Sequence, residues 1–401
     1  MNRKEIGFES LSVLGGYGRS DAIEKNSISV PLFQTTAHPY KDSEQAARIY
    51  DPEDELDGFI YARTDNPTTD VLQKRLAYLE GGEASMATGS GMGAISLVAM
   101  SLLDRNNGAV FSNKLYARSF QLFNDVLPNF SVDSQVVENP EDLNEWEESI
   151  TDNTKFLFVE TPSNPGLFIA DIQGLAKIAE SEDILLIVDN TLATPALQRP
   201  IELGADIVIE STSKYINGSA TALGGAIIGS KEYISSLRTG VMRRFGPSAS
   251  PFNSWLNLLG LETLSLRMTK HSDNALMVAK FLEDHKKVDG VNYPGLDSHP
   301  QHDLAASQMD GFSSLMSFTL TGKGTREGAF RFLDKLRMIP NVTHEGCSRT
   351  IICHPPSTNF ADMTEGEKKE ADIPETLIRL SVGIEDVEDI IEDLDQALDS
   401  L

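Results

Sequence analysis

Three apolar runs in the middle of the chain each end in residues that can do chemistry. ADIVIE, from residue 205, gives way to Ser211, Ser213 and then Lys214; ILLIVD, from 184, ends in Asp189 and Asn190; KFLFVE, from 155, runs into ETPSNP, which carries Asn164. A lysine set beside a carboxylate and small hydroxyl residues is an amine that can condense with a carbonyl. One strand-end carboxylate is commonly structural, and the two serines are also what an ordinary turn contains. Polar ends on successive runs favour a site. A further feature asks for an anion: Gly89, Gly91 and Gly93 precede the helical run AISLVAMSLL, which would aim backbone N–H groups outward from a helix N-terminus. No Gly-Lys-Ser/Thr follows, and the third glycine comes too early for a dinucleotide fingerprint. Glycine turns before helices are common, so this loop is a weak signal alone.

Positioning these groups requires a sheet. The three runs are continuously apolar rather than alternating, and DIQGLAKIAESE between the first two has Ile172, Leu175, Ile178 and Ala179 at helical spacing. PALQRPIELG separates the next pair. Apolar strands joined by helices predict a parallel sheet buried on both faces, with ligands at the carboxyl ends of its strands. Nearer the N-terminus, FIYARTDNPTTD reads as a short strand, a loop and a helix capped near Thr68 or Thr69, with Tyr61 and Arg63 at the surface. Beyond residue 256, FSSLMSFTLTG and LIRLSVG read as strands, and the last helix carries Val387, Ile390, Ile391, Leu394 and Leu398 on one face. The acids at 385–399 are expected to form its solvated face.

At 401 residues the chain exceeds one core, so a large domain and a smaller one are expected. A formal charge of −26 opposes binding to nucleic acid or to anionic membrane surfaces. No apolar stretch reaches the roughly 18 residues of a spanning helix, and MNRKEIGFESLSV does not read as a signal peptide; a cytoplasmic protein is expected. Cys347 and Cys353 are too few for a disulfide framework, and the Cys353–His354 pair lacks further ligands, so no metal is expected.

A lysine, a strand-end carboxylate and a phosphate cradle fit pyridoxal 5′-phosphate, whose aldehyde needs an amine, whose pyridine nitrogen needs an anion, and whose phosphate needs donors. The motifs VPLFQTTAH, YARTDNPTTDVLQKRLAYLEGGE, SGMGAI, ETPSNP, VDNTLATP, STSKYINGS, ASPFNSWLNLLGLETLSLRM and LIRLSVGIED occur in that order along nearly the whole chain. In these the sequence resembles the trans-sulfuration family of pyridoxal phosphate enzymes: cystathionine γ-synthase and γ-lyase, methionine γ-lyase and the O-acyl-homoserine sulfhydrylases. The resemblance implies an aspartate-aminotransferase-like fold (fold type I): an α/β chain with a mostly parallel seven-stranded sheet and a smaller α/β C-terminal domain. It divides the chain into an arm (1–63), a cofactor-binding domain (64–255) and the smaller domain (256–401).

The resemblance also implies roles. Lys214 would carry the cofactor and move protons, and Tyr116 would stack on its ring and assist. Asp189 would pair with the pyridine nitrogen, Asn164 would lie near the phenolic oxygen, and Gly91, Met92, Ser211 and Ser213 would bind phosphate. Tyr61 and Arg63 would reach the neighbouring subunit's phosphate, within a homotetramer built from active-site-sharing dimers. Arg379 would clamp the substrate carboxylate. The distal pocket departs from relatives at Arg118, at Arg349 beside Thr350, and at Phe360. Arg118 and Arg349 either face the substrate's distal group or point to solvent or pair with acids. In the first case the group is neutral or anionic, and γ-replacement on an O-acyl-homoserine by a sulfur nucleophile is expected. The alternative is γ-elimination; a non-catalytic regulator is disfavoured because no key residue is lost.

Overall fold

Alternate residues of the strand Thr154–Glu160 bury on opposite sides. Phe156 and Phe158 join a core with Met86, Ile95, Phe111 and Ile187, whereas Leu157 and Val159 join another with Trp146, Leu175, Ile178 and Val188. With both faces covered, no position is left for a polar side chain, which is why the run is continuously apolar. The computed structural model describes residues 6–50, 58–321, 326–364, 366, 368 and 373–401.

The strands are β1 (Ala84–Thr88), β2 (Gly108–Ser112), β3 (Gln135–Val137), β4 (Thr154–Glu160), β5 (Leu185–Asp189), β6 (Ile207–Glu210) and β7 (Gly225–Gly229). They form a seven-stranded sheet in the order β1-β7-β6-β5-β4-β2-β3. β3, β2, β4, β5 and β6 run parallel, and β7 is antiparallel to both β6 and β1. β8 (Val288–Asn292), β9 (Leu315–Leu320), β10 (Ile351–Cys353) and β11 (Leu377–Ser381) form a second, antiparallel sheet ordered β10-β11-β9-β8. Helices Pro251–Leu261 and Leu264–Glu283 lead from one sheet to the other.

The helix Ile172–Ser181 forms where its spacing predicts, burying Ile172, Leu175, Ile178 and Ala179. Between β5 and β6, however, stand two short turns, Thr194–Leu197 and Pro200–Leu203, because Pro195 and Pro200 each start a new one. The helix Pro67–Glu80 is capped by Asn66, whose side chain accepts from the Thr68 N–H, rather than by Thr68 or Thr69. Thr68 instead ties down the preceding chain, donating to the Pro31 carbonyl and accepting from the Phe33 N–H. In the last helix, Val387–Leu398, Val387, Ile390, Leu394 and Leu398 are buried and Ile391 partly so. Its acids are not all solvated: Asp393 is buried and accepts the N–H groups of Arg337, Met338 and Ile339. Among the described residues, no helix is long and apolar enough to cross a membrane.

Candidate active site

Parallel register brings the strand ends together: Glu160 lies beside Asp189, and Asp189 beside Ile209. Thr191 then ties Asp189 to the next loop. Its N–H (3.1 Å) and hydroxyl both donate to Asp189 Oδ1, while its Oγ1 accepts from the Ser211 N–H at 2.8 Å. Burial pushes the Asp189 carboxyl up to about 6, against the pull of the Thr191 bonds and of Lys214. A turn after β6, with the Lys214 N–H on the Ser211 carbonyl, projects the lysine.

Glu160 works from below. Its two oxygens accept the backbone N–H groups of Tyr116 at 2.6 Å and Asn164 at 2.8 Å, which fixes both residues at the strand ends. Its carboxyl is held well above the usual range, by burial first and by Asp189 second.

Opposite the strand ends stands the 344–348 loop. Lys214 Nζ lies 2.6 Å from Glu345 Oε1 and 3.4 Å from His344 Nδ1. Glu345 Oε2 lies 3.1 Å from Arg379 Nη2; the same guanidinium donates to Asn164 Oδ1 and to the His344 carbonyl. Arg379 sits mid-strand in β11, between Cys353 and Ser317 of its neighbours, and is buried. Burial raises the Glu345 pKa, but Arg379 and Lys214 outweigh it and hold the carboxyl below its ordinary value. Tyr116 belongs to the same cluster: burial and Glu345 raise its phenol, with Arg118 and Arg379 opposing. Gly346 makes the approach possible. Its φ is +77°, and a Cβ there would lie 2.7 Å from the Tyr215 nitrogen, so only glycine lets this loop touch the chain that follows Lys214.

A donor cradle lies next to Ser211. Ser90 caps the helix Gly91–Leu102 by accepting from the Gly93 N–H, which leaves Gly91 and Met92 as its first two residues, their N–H groups unneeded by the helix. A Cβ on Gly91 would meet Ser211 Cβ at 2.8 Å, so the close approach of the two loops needs the glycine. Ser213 turns inward, exchanging hydrogen bonds with the Gly224 N–H and carbonyl. This donor set fits pyridoxal phosphate. Lys214 offers the amine, Asp189 Oδ2 takes no hydrogen bond from a described residue, and the Gly91 helix end with Ser211 would receive the phosphate.

Other expected positions lie apart. Arg63 stacks over the Tyr61 ring at 5.3 Å on an exposed turn and makes no hydrogen bond to the cluster. Arg118, itself exposed, pairs with the exposed Asp362 at 2.7 Å and donates to the half-buried Gln121. Arg349 is exposed, whereas Thr350 is buried and committed: its N–H and hydroxyl go to Glu385, and its oxygen accepts from the Gly383 N–H. Phe360 packs with Ala117, Ile373 and Leu377 as an apolar plug. It also lines a cavity of ≈ 820 Å³ that opens beside Asn164 and does not include Lys214. His354 spends both ring nitrogens on Ser357 and the Glu375 carbonyl. Glu345, His344, Glu160 and Thr191 join the site without having been singled out from sequence. Only Glu160 and Thr191 carried a signal, since both stand at apolar-run ends.

Comparison with known proteins follows the same lines. The family model for Cys/Met metabolism PLP-dependent enzymes matches residues 12–399. An O-succinylhomoserine sulfhydrylase of Pseudomonas aeruginosa is 40% identical over 395 residues, covering 98% of this chain and 96% of its own. An L-methionine gamma-lyase of Treponema denticola is 39% identical over 409 residues, with 100% of both chains covered. A crystal structure from Campylobacter jejuni, provisionally described as an O-acetylhomoserine (thiol)-lyase and holding N′-pyridoxyl-lysine-5′-monophosphate, matches with a TM-score of 0.93. It is 36% identical and covers 98% of this chain and 100% of that one.

Proposed function

The chain belongs to the Cys/Met metabolism family of PLP-dependent enzymes, with their fold type I architecture, and on that premise we propose γ-replacement on an O-acyl-homoserine by a sulfur nucleophile. The observation that carries the reading is the joining of Lys214, Asp189, Asn164 and Arg379 at one strand-end cluster, in a chain 40% identical to an O-succinylhomoserine sulfhydrylase. γ-Elimination is the second reading, favoured by the L-methionine gamma-lyase relative at 39% identity.

The bound cofactor supplies an electron sink that acidifies the substrate's carbon–hydrogen bonds. Arg379, held by Asn164, orients the substrate through its α-carboxylate. Lys214, having no strand-ladder bonds to break, swings from the loop after β6 to take and return protons. Tyr116, fixed through its N–H by Glu160, presents its ring and phenol to the same space. Asp189, steered by Thr191, would hold the pyridine nitrogen through Oδ2, and Gly91, Met92 and Ser211 would hold the phosphate, with Ser213 joining if its hydroxyl turned from Gly224. Arg118 is paired with Asp362, Arg349 is exposed and Thr350 is spent on Glu385, so discrimination against cystathionine through these three is not part of the reading.

Residues 1–63 serve as an arm to a neighbouring copy, carrying Tyr61 and Arg63 to its phosphate, with 64–255 and 256–401 as the cofactor and smaller domains of a cytoplasmic homotetramer. Ile28, 92% exposed, and Ile23, 63% exposed, are apolar side chains of this segment that a neighbouring copy would cover. The test is a substrate panel. O-acetyl- and O-succinyl-homoserine are offered with and without sulfide, cysteine or methanethiol, and methionine and cystathionine are offered alone. Thioether or thiol products from the acyl-homoserines support γ-replacement; faster turnover of methionine or cystathionine alone overturns it.

A further inference from the structure

Arg379 has few free hydrogens. Nη1 donates to Asn164 Oδ1 at 3.0 Å; Nη2 donates to the His344 carbonyl at 3.2 Å and lies 3.1 Å from Glu345 Oε2; the Cys353 side chain takes a further bond. A guanidinium has five N–H groups, and a bidentate carboxylate needs an adjacent pair of them. Both terminal nitrogens are therefore already engaged, and one of the engaging groups is itself a carboxylate. Glu345 is only 5% exposed, so water does little to screen it. Nor is its position loose. Gly346 at φ +77° packs against Tyr215, and the Ser348 N–H and hydroxyl both bond to the Gly218 carbonyl.

We propose that Glu345 is a specificity-determining residue, an internal carboxylate that occupies Arg379 and that the substrate's α-carboxylate must displace. The proposal rests on reading Arg379 as the carboxylate clamp. Two carboxylates on one fork repel each other, so the pair and the substrate are mutually exclusive. Glu345 Oε1 also lies 2.6 Å from Lys214 Nζ in the chain without cofactor, a contact that the lysine gives up when it carries the cofactor, which leaves Arg379 as the cation that holds Glu345. Binding thus separates Glu345 from Arg379. Ligands that reach Arg379 with weak or single contacts are rejected, because they cannot match the resident carboxylate.

The test uses the holoenzymes of Glu345→Gln, Glu345→Leu and Arg379→Gln. Norleucine, which has no leaving group, is titrated by the change in cofactor absorbance, and KM and kcat are measured for O-succinylhomoserine. Glu345→Gln should bind norleucine about tenfold more tightly, as expected when a closed form favoured roughly ten to one is removed. KM should fall by a similar factor, more than kcat changes. Glu345→Gln keeps the side-chain volume and carries the test if the leucine variant fails to fold. Unchanged or weaker norleucine binding in a folded Glu345→Gln, with binding lost in Arg379→Gln, overturns this proposal alone. Unchanged binding in Arg379→Gln overturns the clamp and this proposal with it.

Discussion

Asn164 Oδ1 accepts a hydrogen bond from Arg379 Nη1 at 3.0 Å, joining the loop after β4 of the large sheet to the middle of β11 in the small one. Because both residues are buried, the geometry of the site depends on how the two sheets meet. Asn164→Ala should leave the guanidinium one partner short and free to tilt. KM for an acyl-homoserine should rise about tenfold, the worth of one bond to a charged group. Steady-state kinetics decides it, and an unchanged KM would show that Asn164 does not orient the clamp.

Glu160 is the residue beneath the site. Glu160→Ala removes the acceptor for two backbone N–H groups and should cost about 2–4 kcal/mol of stability. Urea unfolding measures this. Activity should fall further than stability explains, since Tyr116 and Asn164 lose their common anchor. A variant as stable and active as the wild type would contradict that anchoring role.

Asp189 titrates at about 6 in the protein without cofactor, raised by burial against the Thr191 bonds and Lys214. Below that pH the carboxyl is neutral and cannot pair with a pyridinium. Affinity for pyridoxal phosphate should therefore drop as pH falls through about 6, and Asp189→Asn should bind weakly with a flatter profile. Equilibrium titration of the cofactor at a series of pH values reads this. An equally steep profile in the variant would place the titrating group elsewhere.

His271 is buried and donates its Nδ1–H to the Val382 carbonyl at 2.7 Å, and burial lowers its pKa to about 4 despite that bond, with Arg267 lowering it further. The unfolded chain takes up its proton near 6.5, so between pH 6.5 and 4 the unfolded state binds more protons and stability rises with pH. The swing from this residue is about 3 kcal/mol. Urea midpoints of wild type and His271→Gln at pH 7 and pH 5 should converge on acidification. Parallel curves would contradict the assignment.

The sheet was legible because a strand buried on both faces must be apolar through its interior, as β4 is over Phe156–Val159, β5 over Leu185–Val188 and β6 over Ile207–Ile209. Asp189 was legible because it ends such a strand, and Lys214 because it follows the end of another by four residues. Glu345 was not: one carboxylate among 60 acidic residues has no local mark, and its role exists only where residues 214, 345 and 379 meet in space. Asp393 escaped for the same reason, its helix pattern placing it among solvated acids while a loop 55 residues away in sequence wraps its carboxylate. The helix start at Asn66 was masked by Thr68 and Thr69, both good caps, whose hydroxyls serve tertiary contacts.

Lys214→Ala should yield a folded protein without the yellow colour of the wild type and without turnover. A coloured, active variant would remove the lysine from the chemistry. The most direct measurement of the function itself is the product ratio from O-succinylhomoserine as sulfide is raised. γ-Replacement predicts homocysteine rising with sulfide until it dominates, while 2-oxobutanoate falls. Formation of 2-oxobutanoate and ammonia that does not respond to sulfide would contradict it and make the enzyme a γ-lyase.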